Sequence, residues 1–289
     1  MRSIVFLILF SLLSNGLQAQ FIEVGGHVGA VTYLGDLAPK VDVGSAGDIS
    51  PGFTLYGRLG LLEGINARLS VSRFTLKGDD KDADGFSRLQ RNLSFRSNLY
   101  EAALSVEVFP LSGLESRFLS TFQPYFHGGA ALFTHNPQAE LDGTWYDLQP
   151  LRTEGQGTSA APDQSPYSRT GLAIPFGLGF TIFLDKNVTI GMEVNFRKTF
   201  TDYLDDVSTN FADPRILETE VSALSARLAN RTSELGSDAA IDFRPGAKRG
   251  DPDNKDWYIF MGITVGTIID DGGRRGRWWG TKRLRSFYY

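Results

Sequence analysis

The sequence predicts an all-β fold: an eight-stranded antiparallel transmembrane β-barrel with one short helix in an outer loop. Three observations predict it. Eight segments alternate apolar and polar residues with period 2. The connections between them alternate between tight turns and long polar loops. A leader precedes a chain in which no apolar run reaches the roughly 20 residues that a spanning helix needs.

The leader opens with Arg2 and an apolar run from Ile4 to Leu13 broken only by Ser11. A more polar stretch from Ser14 to Ala19 follows, so residues 1–19 read as a signal peptide cleaved after Ala19. The sequence contains no cysteine, which excludes a lipid anchor, a disulfide scaffold and a thiolate metal centre. Its 32 Gly, 21 Phe and 10 Tyr suit an antiparallel barrel, where small residues face inward and rings gather near strand ends. A net charge of −4, with no basic face before the last eighteen residues, argues against nucleic acid as a partner.

Each expected strand presents one apolar and one polar row. In the first, Ile22, Val24, Val28 and Ala30 oppose Glu23 and His27. The second sets Phe53, Leu55, Leu59 and Leu61 against Thr54, Tyr56 and Arg58, and the third sets Ile65, Ala67, Leu69 and Val71 against Asn66, Arg68, Ser70 and Ser72. The fourth opposes Tyr100 to Val108 with Glu101, Ser105 and Glu107. The fifth, Tyr125 to Phe133, is blurred by Gly128, Gly129, Ala130 and Ala131. The sixth runs from Leu172 to Ile182, with Gly177 and Gly179 inward. In the seventh, Val188, Ile190, Met192, Val194 and Phe196 alternate with Thr189, Gly191, Glu193, Asn195 and Arg197. The eighth is Trp257 to Gly266. Phe53, Tyr100, Phe196 and Trp257 are placed for an interfacial girdle.

Short links at Leu62-Glu63-Gly64, after Pro110 and at Asp185-Lys186-Asn187 alternate with polar loops near 34–51, 77–97, 135–170 and 201–255. Short turns belong to the periplasm and long loops to the exterior, so both termini are expected in the periplasm. A β-sandwich shares the period but does not confine its long loops to one end.

A barrel of this size holds side chains and no aqueous channel. The inward rows bring Glu23, Glu101, Glu107 and Glu193 together with Arg58, Arg68 and Arg197, a structural ion-pair network, with His27 and His127 beside it. No H-x-x-H spacing supports zinc, and neither a nucleophile triad nor a phosphate loop is present, so no catalytic residue, cofactor or small-molecule substrate is expected. In the last loop Asp213 and Pro214 open a helix whose apolar positions Leu217, Val221, Leu224 and Leu228 extend to about Leu235. Its stripe is expected on the barrel mouth, with a docking surface for another protein as the alternative. Asp202, Asp205 and Asp206 around Tyr203 invite a calcium reading, but they lack the D-x-D-x-D-G spacing, and capping and surface solvation account for them more simply. Residues 270–289 form a basic, aromatic tail. Arg274, Arg275, Arg277, Trp278, Trp279, Lys282, Arg283 and Arg285 suit an anionic membrane surface or a periplasmic partner.

Several longer words carry a resemblance. Tyr33-Leu34-Gly35-Asp36-Leu37 follows the first strand, and Pro124-Tyr125-Phe126 opens the fifth. Thr153-Glu154-Gly155-Gln156-Gly157 lies in the third outer loop, Ile174-Pro175-Phe176-Gly177 opens the sixth strand, and Thr201-Asp202-Tyr203-Leu204-Asp205-Asp206-Val207-Ser208 follows the seventh. In these words, which run in order across residues 21–269, the chain resembles the PorG-like outer-membrane barrels of the type IX protein secretion system of Bacteroidetes. The resemblance implies a non-enzymatic role in secretion, and in some members gliding, beside a periplasmic ring of the PorK lipoprotein and PorN. The outer-loop residues Tyr33, Gly35, Asp36, Thr153, Glu154, Gly155, Asp202, Tyr203, Asp205 and Asp206 are read as locking the loops over the mouth. The alternatives are an OmpA-like structural barrel without a secretion role, an enzyme using lumen Glu and His residues, and a narrow solute pore.

Overall fold

The computed structural model describes residues 21–38, 49–82, 86–112, 114, 121–184, 187–236 and 244–269. The expected signal peptide and basic tail lie outside the described residues. Nine strands form: β1 (Ile22–Leu34), β2 (Ser50–Leu62), β3 (Ile65–Asp79), β4 (Ser94–Val108), β5 (Phe122–Leu141), β6 (Thr144–Asp147), β7 (Thr170–Phe183), β8 (Val188–Thr199) and β9 (Trp257–Ile269). All pairings are antiparallel, in the order β4-β3-β2-β1-β9-β8-β7-β5-β6, and a further β4–β5 pairing closes eight of the nine into a barrel. Closure gives each of the eight barrel strands a partner on both sides, which a bilayer requires.

The ninth strand was not expected. β6 pairs with the far end of β5 alone, through a turn at Asp142 and Gly143, and makes a hairpin that projects from the barrel. The third outer loop is therefore shorter than residues 135–170. β3 and β4 likewise run into the stretch read as the loop 77–97.

The strands outrun their expected ends because the two rows exchange character partway along. Up to Ser72 the outer row of β3 is apolar (Leu69, Val71) and the inner row polar. Beyond it Arg73 and Lys77 point outward while Phe74 and Leu76 are buried inside. β5 changes in the same way, with Phe133, Ala139 and Leu141 inside and Glu140 outside. Below this level an apolar belt covers the outer surface, including Val28, Leu55, Leu104, Leu132, Leu172, Leu178, Met192 and Ile263, each about half exposed or more.

The blur in β5 has a backbone cause. Pro175 of β7 has no N–H, and the β5–β7 ladder is interrupted opposite it, between Gly128 and Ala131. The helix of the last loop is also broken. Asp213 caps α2 (Pro214–Glu220) by accepting from the Arg215 N–H, as expected, but Ser222 starts a second helix, α3 (Ala223–Ala229). Another short helix, α1 (Phe86–Arg91), lies between β3 and β4. The apolar stripe does not rest on the mouth as one surface. Leu224 and Leu228 pack on Ala139, Leu141, Tyr146 and Leu148 of the projecting hairpin, while Leu217, Val221 and Ala229 gather around Ala212.

Candidate functional site

The inward rows build a polar lower lumen. Arg58 Nη1 lies 2.8 Å from Glu23, and its Nε and Nη2 lie 2.5 and 3.0 Å from the two oxygens of Glu107. Arg68 Nη1 bridges Glu107 at 3.3 Å and Glu193 at 2.5 Å. Tyr56 and Thr189 donate to Glu23, and Tyr125 donates to Glu193. Nearer the loops Arg197 reaches Glu101 at 3.3 Å, whose other oxygen accepts from Tyr258 at 2.6 Å. Inward glycines leave room for these groups: a Cβ at Gly266 would stand 2.2 Å from Glu23 Oε1, and one at Gly179 2.8 Å from the Tyr125 ring.

His27 and His127 each bring a ring nitrogen to 3.8 Å from Glu193 Oε1. That juxtaposition has the residue types for acid–base chemistry but not the access. His27 is 1% exposed, His127 8% and Glu193 2%. Phe109 and Tyr125 pack below, and Phe74, Phe133, Leu99 and Phe260 fill the lumen above. The sequence reading missed this upper, apolar storey, into which Leu37, Leu204 and Val207 descend from the loops.

The loops over the barrel form a lid, and the outer-loop words meet in it. Glu154 accepts from the N–H groups of Ser208 and Thr209, the Thr209 hydroxyl, Tyr203 Oη and Arg249. Asp206 accepts from Thr153 and Tyr167 and pairs with Arg249. The Tyr167 and Tyr203 rings stack at 4.5 Å and 8°. Asp205 receives the N–H groups of Leu37 and Val207, tying the first loop to the fourth. Asp36 receives the Asp251 N–H, and its carbonyl takes Arg91, which also pairs with buried Asp80. Tyr33 donates to Asp256 at 2.5 Å, and a Cβ at Gly35 would lie 1.9 Å from that Tyr33 oxygen, so only glycine fits. Gly155 turns the third loop at φ +76°, where other residues are strained.

The sequence reading did not single out Arg249, Tyr167, Asp256, Asp80 or Arg91. Each stands in a polar loop or at a strand margin with no periodic signal. Nor are the three loop aspartates surface groups, as expected. Asp202, Asp205 and Asp206 are at most 3% exposed; Asp205 and Asp206 take separate partners, and both carboxylate oxygens of Asp202 are buried without a hydrogen-bond partner among the described residues. Among the described residues no group of three or more acidic or histidine side chains is placed to hold a metal.

Burial sets the electrostatics of the lid. It pushes the Asp202 carboxyl up to about 7, tempered by Ser208 and reinforced by Asp36. It raises Asp206 to about 6 against the pull of Arg249. Asp205 and Asp256 are raised further, by burial and then by Asp36 and by Asp205 respectively. A carboxyl whose pKa is higher folded than unfolded favours the folded state most below its unfolded value of about 3.9, and loses that contribution as pH rises through the folded value. The lid is therefore expected to be tighter at pH 5 than at pH 8. Limited proteolysis of the 201–212 segment should be slower at pH 5, once corrected for intrinsic protease activity, and Asp202→Asn should flatten the difference. Equal rates at both pH values would refute the assignment.

The model of a family described as a domain of unknown function, DUF6089, matches residues 2–219. No curated protein matches the sequence. Among solved structures the chain is similar to Neisserial surface protein A, at 8% identity and a TM-score of 0.41, over 85% of this chain and 96% of that one. OprG from Pseudomonas aeruginosa shows 13% identity and a TM-score of 0.40, over 88% and 98%. The Ail protein of Yersinia pestis, in complex with the heparin analogue sucrose octasulfate, shows 10% identity and a TM-score of 0.37, over 86% and 97%.

Proposed function

Since the chain belongs to the DUF6089 family, we propose that this family member is an integral outer-membrane barrel serving a protein secretion machinery of type IX as an anchor or assembly factor and not as an enzyme. The observation that carries a structural role is the filled lumen. A paired-charge storey and an apolar storey lie one above the other beneath a locked lid, and that arrangement favours a rigid membrane-embedded body over a conduit or a catalytic cavity. The apolar belt supports the membrane location.

The secretion role rests on the resemblance of the outer-loop words to PorG-like barrels. In this reading the partners are outer-membrane lipid, the PorK lipoprotein and PorN. Both termini are periplasmic, and the tail residues Arg274, Arg275, Arg277, Trp278, Trp279, Lys282, Arg283 and Arg285 face the ring. The test is a mild-crosslinking pull-down of tagged protein from native outer membranes, with and without residues 272–289. Recovery of a ring protein with the full chain alone supports the role and puts the contact on the tail. Recovery with both forms moves the contact to the short turns. If neither form recovers one, the role is lost and a plain structural barrel is the better reading.

A further inference from the structure

The level at which the two rows exchange character leaves a set of cations with no acidic partner. On β3 Arg73 stands directly above Val71, and Lys77 lies two outward repeats further on, past Thr75. Across the ladder Arg73 faces Tyr100 and Lys77 faces Arg96. Thr75 and Asn98 join between them, with the Thr75 hydroxyl 3.2 Å from Asn98 Oδ1. Arg73 lies against the Tyr100 ring at 5.8 Å, and Arg96 over Trp145 at 3.7 Å, with one nitrogen 3.1 Å from Gln138. Among the described residues none of these three cations makes an ion pair, whereas nearby Lys81 pairs with Asp79. Immediately below, Leu69, Val71, Leu104 and Leu132 are between 53% and 62% exposed.

An occupant must match both halves of this surface: apolar chains below and negative charge at the level of Arg73, Lys77 and Arg96. A soluble anion matches only the upper half. Guanidinium and ammonium groups at a bilayer interface hold phosphate by charge-assisted hydrogen bonds, and hydroxyl and amide neighbours extend that set. We propose that Arg73, Lys77 and Arg96 bind the phosphate headgroup of an anionic lipid in the leaflet on the lid side, with its acyl chains lying on Leu69, Val71, Leu104 and Leu132. This rests on the membrane-spanning reading above.

The test uses the full chain reconstituted into phosphatidylcholine vesicles containing one-tenth phosphatidylglycerol. Flotation reads insertion, and native mass spectrometry reads the lipid retained. The wild type is expected to retain phosphatidylglycerol over phosphatidylcholine at least tenfold beyond their ratio in the vesicle. The R73Q/K77Q/R96Q variant, whose changed side chains all face outward, is expected to float equally and lose the preference. Lys198→Gln, a cation on β8 beside Trp257, should keep it within twofold. A preference unchanged in the triple variant, or lost equally in Lys198→Gln, overturns the site. Displacement of the lipid by millimolar inorganic phosphate means a plain anion site and overturns the lipid assignment. Failure to float overturns the membrane-spanning reading together with the site, whereas flotation without any preference overturns the site alone.

Discussion

Replacing Arg58 by methionine is expected to destabilise the barrel by about 3–5 kcal/mol, the usual cost of removing one partner of a buried ion pair. Arg58 is among the largest fully buried side chains and serves two carboxylates at once, Glu23 and Glu107. Without it Glu23 keeps only hydroxyl donors, Tyr56 and Thr189, while Glu107 keeps Arg68 at 3.3 Å. The guanidinium also lies 5.3–5.7 Å from the ring centroids of Tyr56, Phe109 and Tyr125, so packing is lost with the charge. Urea unfolding in lipid vesicles reads the loss. The control is the compensated variant E23Q/R58M/E107Q. With no charge left unpaired among the three it should recover most of the stability, because desolvation takes back much of what a buried ion pair gains. A single variant within about 1 kcal/mol of wild type, at the scale of an exposed pair, would mean that water screens these charges.

Glu154→Ala is expected to act on the lid alone. It removes the acceptor shared by Ser208, Thr209, Tyr203 and Arg249, and leaves Arg249 buried with only Asp206 as a counter-charge. The expected local cost is about 3 kcal/mol, which corresponds to a rise of about a hundredfold in hydrogen exchange over residues 201–212. The strands should keep their protection, since the hydrogen-bond partners of Glu154, namely Tyr203, Ser208, Thr209 and Arg249, lie in the loop between β8 and β9. Exchange rising equally in β8 and β9 would instead make lid and barrel one cooperative unit. Glu154→Gln, which retains acceptor capacity but not charge, should fall between.

Most of the barrel was legible because period 2 persists wherever one face meets lipid and the other a polar interior. All eight barrel strands, their order and the inward placement of the seven charged lumen residues can be read from Glu23 to Gly266 on that basis. The reading stops short where the chemistry reverses while the geometry continues. Past Ser72, and before Tyr100, the apolar residues become the inner ones, so a pattern anchored on outward hydrophobicity ends the strand too soon. The β5–β6 hairpin was hidden for the same reason, since Gln138 and Glu140 look like loop residues until Ala139 and Leu141 are seen under α3. The helix break at Val221–Ser222 has a local signal, a serine fit to cap, overridden in the reading by the regular spacing of Leu217, Val221, Leu224 and Leu228. In the lid, sequence words indicated which loops matter but not their partners, because Arg249 and Asp256 acquire their roles only through contacts more than forty residues away.

The reversal of the rows also sets how high the lid stands. From Thr134, level with Tyr100, β5 continues for seven residues to Leu141. At about 3.4 Å per residue and a tilt of about 40°, that is a climb of about 18 Å. The strands thus act as a mast. They carry the tip of the projecting hairpin at Asp142 and Gly143, and α3 packed on that hairpin, above the level of Arg73, while Gln138 and Trp145 of the hairpin stay beside Arg96. Arg73 stays below, at the waterline.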